Sequence, residues 1–212
     1  MSLIVREPKG SSIVPLEPGV YMAKCYLVAD IGEQYFKYKD REGWKPKVVI
    51  GWEIEDEFIE IDGQLQPRTV HQFYSQSLDK RSSLRQDLET WRGRPFSAEE
   101  LEGFNLVSVV GAGCQLQLEN NTNEASGKTY TNIKAIMALP KGMKLAPPSQ
   151  RIIFDTDTDL DKLHSMPKLV QDMVAKSKQM QPEEEKPFAD EPGNDANVFG
   201  DIDELNELFG DK

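Results

Sequence analysis

The chain reads VYMAKCYLVADIGEQYFKYKDREGWKPKVVIGWEIEDEF at residues 20–58. The two ends of this stretch, residues 20–31 and 47–58, are rich in β-branched and aromatic residues that alternate with polar ones. That pattern is typical of β-strands. The middle, residues 34–47, is aromatic and charged, and it predicts a loop between the first two strands. The stretch therefore indicates a fold built mainly on long strands.

The following segments predict one more strand and then a change of period. An Asp-Gly turn within residues 61–67 predicts a hairpin, and residues 68–78 predict the third strand. Leu84, Leu88 and Trp91 then recur at helical spacing, which predicts a helix that begins at Asp79 and stops at Gly93.

The remaining elements complete a recognisable order. Ser97 and Glu100 have the spacing of a capping box, and they predict a short second helix. Strands four and five are predicted over residues 113–120 and 129–139. Three strands, a helix and two strands match an α+β, mainly β class: a five-stranded OB-fold Greek-key barrel with a helix between strands 3 and 4.

Four regions follow from this order. We expect a flexible leader over residues 1–18 and an OB-fold domain over residues 19–145. Residues 146–181 are expected to be a linker that contains a helix, with Pro167 near its start. Residues 182–212 are expected to be a disordered acidic tail.

The charge of the chain is concentrated in that tail. The net charge is −11, and residues 182–212 contain 11 acidic residues against Lys186 and Lys212, which gives −9. Prolines and few core-forming residues predict disorder there. A solubilising tail is one interpretation, but apolar residues at three- to four-residue spacing favour a tail that binds a partner as a short amphipathic helix. The candidate partner-binding residues are Phe199, Ile202, Leu205, Leu208 and Phe209.

Several function classes are not expected. The chain has no apolar run of roughly 20 residues and no signal-peptide pattern, so we expect a cytoplasmic protein without a membrane partner. Cys25 and Cys114 lie in strand-like runs and predict buried free thiols. His71 and His164 are isolated, which argues against acid–base catalysis. We therefore expect neither an enzyme nor a cofactor or metal.

The predicted loop at residues 34–47 interleaves aromatic rings with positive charges. Rings stack on exposed bases and Lys or Arg neutralise phosphates, so the pattern indicates single-stranded nucleic acid. The alternative is a twisted hairpin whose rings pack on the barrel. The predicted contacts in this loop are Tyr35, Phe36, Lys37, Tyr38, Lys39, Arg41, Trp44, Lys45 and Lys47. Neighbouring elements add Arg68, Tyr74, Lys128, Tyr130 and Lys134, since the loop between strands 4 and 5 also borders an OB-fold groove.

A second basic group surrounds the first predicted helix. We favour a solvated helix surface here over a landing site for the tail or for extended DNA. The residues are Lys80, Arg81, Arg85, Arg92 and Arg94.

With these features, the chain resembles bacteriophage and bacterial single-stranded DNA-binding proteins. The segments VYMAKCYLVADIGEQ, KVVIGWEIEDE and LRQDLETWRGRPFSAEELEGFNL are similar to those of phage-encoded replication proteins of this type. The resemblance implies sequence-independent binding of single strands in replication, recombination or repair. It also implies a tail that recruits a polymerase, helicase or recombinase and competes with DNA.

One departure and three other questions stay open at this point. Many such tails end with an aromatic residue at or next to the terminus, whereas Phe209 is followed by Gly210, Asp211 and Lys212. The rival function is a β-barrel interaction module or inhibitor whose acidic tail mimics DNA. The preference for DNA over RNA and the formation of a homo-oligomer are also left open.

Overall fold

The computed structural model describes residues 14–61, 63–124 and 127–181. The predictions for residues 1–13 and for the acidic tail, residues 182–212, lie outside the described residues. The strands are β1 (Gly19–Tyr38), β2 (Arg41–Ile61), β3 (Gln64–Ser75), β4 (Gly113–Thr122), β5 (Thr129–Met137) and β6 (Ile152–Phe154). The α-helices are α1 (Ser83–Arg92), α2 (Ala98–Glu102) and α3 (Lys168–Ala175), with 3-10 helices at Leu106–Val109, Leu160–Ser165 and Lys178–Met180.

The five long strands form one antiparallel sheet in the order β3-β2-β1-β4-β5. β1 lies at its centre, with β2 on one side and β4 on the other. The sheet curves into a half-barrel whose end strands, β3 and β5, are not paired with each other within the described residues. The predicted mainly β class and the predicted order of elements are confirmed.

The main core lies between the concave face of the sheet and α1. Leu84, Leu88 and Trp91 are buried, as their helical spacing predicts. Trp91 packs against Trp52 of β2, with ring centroids 5.6 Å apart. The helix begins later than predicted, because its N-cap is Ser82 and not Asp79. The Asp79 carboxylate instead accepts a hydrogen bond from the Arg81 backbone N–H in the preceding turn.

Residues 34–47 are not the predicted loop. β1 and β2 continue through them as a two-stranded ribbon that turns at Lys39 and Asp40, and we call residues 34–47 the arm. Aromatic residues favour strands when they pair across a hairpin, and Tyr35 lies directly opposite Trp44. The candidate DNA-contacting residues therefore lie on regular, alternating strands.

Residues 146–181 are also different from their prediction. The predicted helix is present as α3, but the segment packs on the convex face of the sheet and is not an extended linker. We call residues 146–181 the outer layer. Val170 and Val174 of α3 are fully buried in a second core with Leu27 and Val49, and β6 pairs in parallel with β1. The physical reason is that β1 and β2 carry apolar residues on both faces, so both faces need a cover.

Residues 14–17 bridge the two ends of the half-barrel. The Leu16 backbone N–H donates to Thr131 Oγ1 of β5 at 3.1 Å, and the Leu16 carbonyl accepts from Asn120 Nδ2 of β4 at 2.8 Å. Arg68 of β3 donates to the Val14 carbonyl. Leu16 itself is buried in the main core. The expected leader, residues 1–18, therefore overlaps a segment that belongs to the fold.

Across the described residues, no helix combines the length and the apolar character needed to cross a membrane.

Candidate nucleic-acid interface

One face of the arm holds a pair of aromatic rings in contact. The rings of Tyr35 and Trp44 meet edge to face, with centroids 5.4 Å apart. The Tyr35 hydroxyl donates to Glu42 Oε2 at 2.7 Å. Such a pair contributes about 0.5–1.5 kcal/mol beyond its buried area. These two rings therefore stabilise the ribbon by packing on each other, and both remain partly exposed. The alternative interpretation expected a hairpin, which is present, but with its rings packed on the barrel.

The opposite face of the arm places cations over rings. Lys45 Nζ lies 4.4 Å from the centroid of the Phe36 ring. Lys39 Nζ lies 5.2 Å from the Tyr38 ring, and Tyr38 is 52% exposed. Each cation–ring contact holds a positive charge beside a flat apolar surface. A base and its phosphate present the complementary pair of surfaces.

The arm has an excess of positive charge. It carries Lys37, Lys39, Arg41, Lys45 and Lys47 against Asp40 and Glu42, so its net charge is +3. Lys37 and Glu42 are 4.0 Å apart, and both side chains are more than half exposed. An exposed ion pair of this kind contributes little. A phosphate can therefore displace Glu42 from Lys37 at small cost.

Three further predicted residues meet at the other end of the sheet. Arg68, Lys128 and Tyr130 line an open groove of about 990 Å³ between the β2–β3 hairpin and the β4–β5 hairpin. Tyr130 is 46% exposed, whereas Arg68 is half-buried and bound to the Val14 carbonyl. Lys134 is not brought to this groove, and its ammonium lies 3.0 Å from Glu119. The arm and the groove are two separate surfaces.

Tyr74 is a wrong prediction. It is 1% exposed, and its side chain lies in the main core. Its hydroxyl donates to Asp87 Oδ2 of α1 at 2.9 Å. Alternation along β3 places Tyr74 on the same face as buried Val70, which is the signal that contradicts a contact with DNA. Tyr74 therefore joins the sheet to α1.

We expect Tyr74→Phe to lower stability in a pH-dependent way. Burial raises the pKa of Asp87, and the hydrogen bond from Tyr74 partly offsets that rise. Because the folded-state pKa exceeds the unfolded one, ionisation of Asp87 removes stability as the pH rises through the folded pKa. Loss of the bond to the ionised carboxylate should cost about 1–3 kcal/mol at pH 7. The loss should be smaller below about pH 3, where Asp87 is mostly protonated in both states.

Urea denaturation at the two pH values measures this difference, with Tyr130→Phe as the control at an exposed tyrosine. Equal losses at both pH values would contradict the role given to Asp87.

The basic residues around α1 are largely engaged with carboxylates. Arg85 pairs with Glu89 at 2.9 Å, and Arg94 pairs with Glu100 at 2.7 Å. Arg92 also pairs with Glu100. The preferred interpretation, a solvated helix surface with its own ion pairs, agrees with this arrangement better than an open landing site does.

A partly buried polar pair on the convex face, with Tyr26 buried and His71 half-buried, was missed by sequence reasoning. The Tyr26 hydroxyl and His71 Nε2 are 2.6 Å apart. Burial lowers the pKa of His71 to about 4, so the ring is neutral at pH 7 and offers no charge to a phosphate. Gly51 permits this packing, because a Cβ there would lie 2.8 Å from His71 Cδ2 and 2.9 Å from Tyr26 Cε1. That glycine in an apolar strand was the available signal.

No protein-family model matches the chain, and no curated protein matches it at a significant level.

Proposed function

We propose that this protein binds single-stranded DNA without sequence preference, through the arm. The observation that carries the proposal is that the arm is rich in aromatic and basic residues and is a two-stranded ribbon with few strand neighbours. Among the described strands, only Lys47 of the arm pairs outside the β1–β2 ribbon, with Ser75 of β3. The arm carries four aromatic rings and five basic residues. Base stacking does not depend on sequence, because every base has a π-face. Phosphate contacts do not depend on sequence either. Such binding serves replication, recombination or repair of DNA.

The half-barrel is proposed to be of the OB type. The order of three strands, a helix and two strands supports this, and so does the convergence of β3 and β5 on the bridging segment, residues 14–17. OB-folds bind oligonucleotides on the face of strands 2 and 3 and with the loops that flank it. Here the outer layer covers much of that face. We therefore assign the main contacts to the arm, and secondary contacts to Arg68, Lys128 and Tyr130.

The acidic tail is proposed to regulate binding and to recruit replication proteins. The described chain ends at Gln181, shortly after Lys178 Nζ approaches Glu33 Oε2 at 3.3 Å. Glu33 immediately precedes the arm. A segment with a charge of −9 thus starts beside a ribbon with a charge of +3. A tethered anion at that position competes with DNA at a high effective concentration.

Deletion of residues 182–212 is expected to tighten binding of a dT oligonucleotide by about tenfold at low salt, since the tether supplies millimolar effective concentrations. The difference should shrink as salt is added, because a Debye length of about 10 Å at 0.1 M screens exposed charges. Fluorescence titrations at two salt concentrations measure it. The control is a full-length chain in which the tail carboxylates are changed to amides. It keeps the length of the tail and removes its charge, so it separates the two effects. Unchanged affinity after deletion would remove the competition.

The direct test of the proposed function is tryptophan quenching by a dT oligonucleotide. Trp52 and Trp91 are buried in the core, whereas Trp44 lies on the arm, so the quenching should come from Trp44. An interaction module whose tail mimics DNA would not bind the oligonucleotide even after the tail is deleted. A parallel titration with an rU oligonucleotide decides between DNA and RNA.

A further inference from the structure

The arm leaves the sheet at a bend in β1. The pairing of β1 with β2 shifts by one residue between Asp30 and Glu33, which marks a β-bulge. Gly32 occupies the bulge with a φ of 74°, and its N–H donates to Asp30 Oδ1 at 2.7 Å. A bulge bends its strand and increases the local twist. The direction of the arm is therefore set at residues 30–33.

Residues 173–179 of the outer layer contact this bend at several points. Gln34 is 2% exposed, and its Nε2 donates to the Ile31 carbonyl at 2.6 Å and to the Met173 carbonyl at 3.0 Å. The Glu33 N–H donates to Gln179 Oε1 at 3.1 Å. These bonds tie the first residue of the arm, and the residue before it, to the end of α3 and to the turn that follows it.

The packing at the bulge is equally close. A Cβ on Gly32 would lie 2.7 Å from Gln179 Oε1 and 2.9 Å from Ser177 Cβ, and Ser177 is fully buried. Beyond the bend, the arm has no third strand among the described residues. A two-stranded hairpin is marginally stable in water by itself. Its orientation therefore depends on the contacts at its base.

We propose that residues 173–179 clamp the bend, and that Gln34 and Gln179 are positioning residues for DNA binding by the arm. This inference rests on the proposed function. The clamp holds the arm in one direction before DNA arrives, so less ordering is required on binding. The clamp residues contact the base of the arm and not the DNA.

The test combines Gln34→Leu with Gln179→Ala in the full-length protein. We expect affinity for a dT oligonucleotide to fall by about three- to tenfold as preorganisation is lost. The slope of affinity against salt should not change, because the phosphate contacts of the arm are intact. Gln115→Leu is the matched control, since Gln115 Nε2 donates to a backbone carbonyl, that of Ala138, at 2.7 Å, away from the arm.

A probe on the arm tests the clamp without DNA. Asp40→Cys can be labelled selectively, because Cys25 and Cys114 are buried and burial raises the pKa of Cys25 to about 12. We expect the probe to move more freely in the double variant than in the Gln115→Leu control. Unchanged probe mobility, or greater mobility with wild-type affinity, would overturn the clamp. If Tyr38→Ala lost DNA binding but the Gln34→Leu/Gln179→Ala variant kept wild-type affinity, the clamp would be overturned. The proposed function would then still stand.

Gly32→Ala provides a second variant, with Gly142→Ala as its control. Both glycines have positive φ, at 74° and 85°, but a Cβ on Gly142 has no atom within 4 Å among the described residues. Both substitutions therefore introduce backbone strain, but only Gly32→Ala would also displace Ser177 and Gln179. The clamp predicts weaker DNA binding and a more mobile probe for Gly32→Ala only. Equal effects in the two variants would contradict it.

Discussion

Replacing Tyr38 and Trp44 together with alanine is expected to weaken binding of a dT oligonucleotide by about 2–6 kcal/mol, or about thirtyfold or more, since each stacked base contributes about 1–3 kcal/mol. Tyr38 is more than half exposed on one face of the arm, and Trp44 lies on the other face. Equilibrium titration followed by anisotropy of a labelled oligonucleotide measures the loss, because the double variant lacks the tryptophan of the arm.

The single variants separate two causes. Trp44→Ala also removes the ring that packs against Tyr35, so part of its effect belongs to the stability of the arm. Tyr38 has no aromatic partner among the described residues, so Tyr38→Ala reports stacking on DNA more directly. Phe58→Ala is the control, because Phe58 is 54% exposed but lies on the β2–β3 hairpin. Wild-type affinity in both single variants would refute the assignment of the arm.

Replacing Trp52 with alanine is expected to lower the free energy of unfolding by about 3–5 kcal/mol. Trp52 is fully buried at the centre of β2, and its ring meets Trp91 of α1. Its loss would leave a cavity between the sheet and the helix. Domains have a total stability of about 5–15 kcal/mol, so this single change removes a large share. Urea denaturation followed by circular dichroism measures it.

Trp52→Phe should cost much less. The indole Nε1 of Trp52 has no hydrogen-bond partner among the described residues, so phenylalanine loses volume but no bond. Phe58→Ala is the companion control, because Phe58 is 54% exposed and lies outside the main core. A Trp52→Ala protein with the wild-type urea midpoint would show that α1 does not depend on this contact.

The order of strands and helices could be predicted because each pattern is local. Each pattern depends only on residues close together in the chain. The patterns are the alternation of the strands, the helical spacing of Leu84, Leu88 and Trp91, and the capping box at Ser97. The arm was wrongly predicted as a loop for the opposite reason. Its strand structure depends on cross-strand pairs such as Tyr35 with Trp44, which join residues that periodicity treats separately.

The candidate site was predictable in part. The interleaving of aromatic and basic residues predicted the candidate contacts of the arm without its strand structure. Alternation along β3 would have excluded Tyr74, because Tyr74 lies on the same face as the buried Val70. The groove and the clamp bring together residues more than 50 positions apart, and no local pattern reports such distances. The outer layer had a signal that was not used: β1 is apolar on both faces, which requires a cover on each.

The bridging segment, residues 14–17, has a consequence for any shortened form of the protein. The edges of β3 and β5, which have no further strand partner among the described residues, face the gap that this segment closes. Exposed strand edges are templates on which other chains add strands and aggregate. The sequence pattern alone suggests Gly19 as the first residue of the domain. A protein that starts there would lose Leu16 from its core and open both edges, so the practical boundary of the domain lies upstream of Val14.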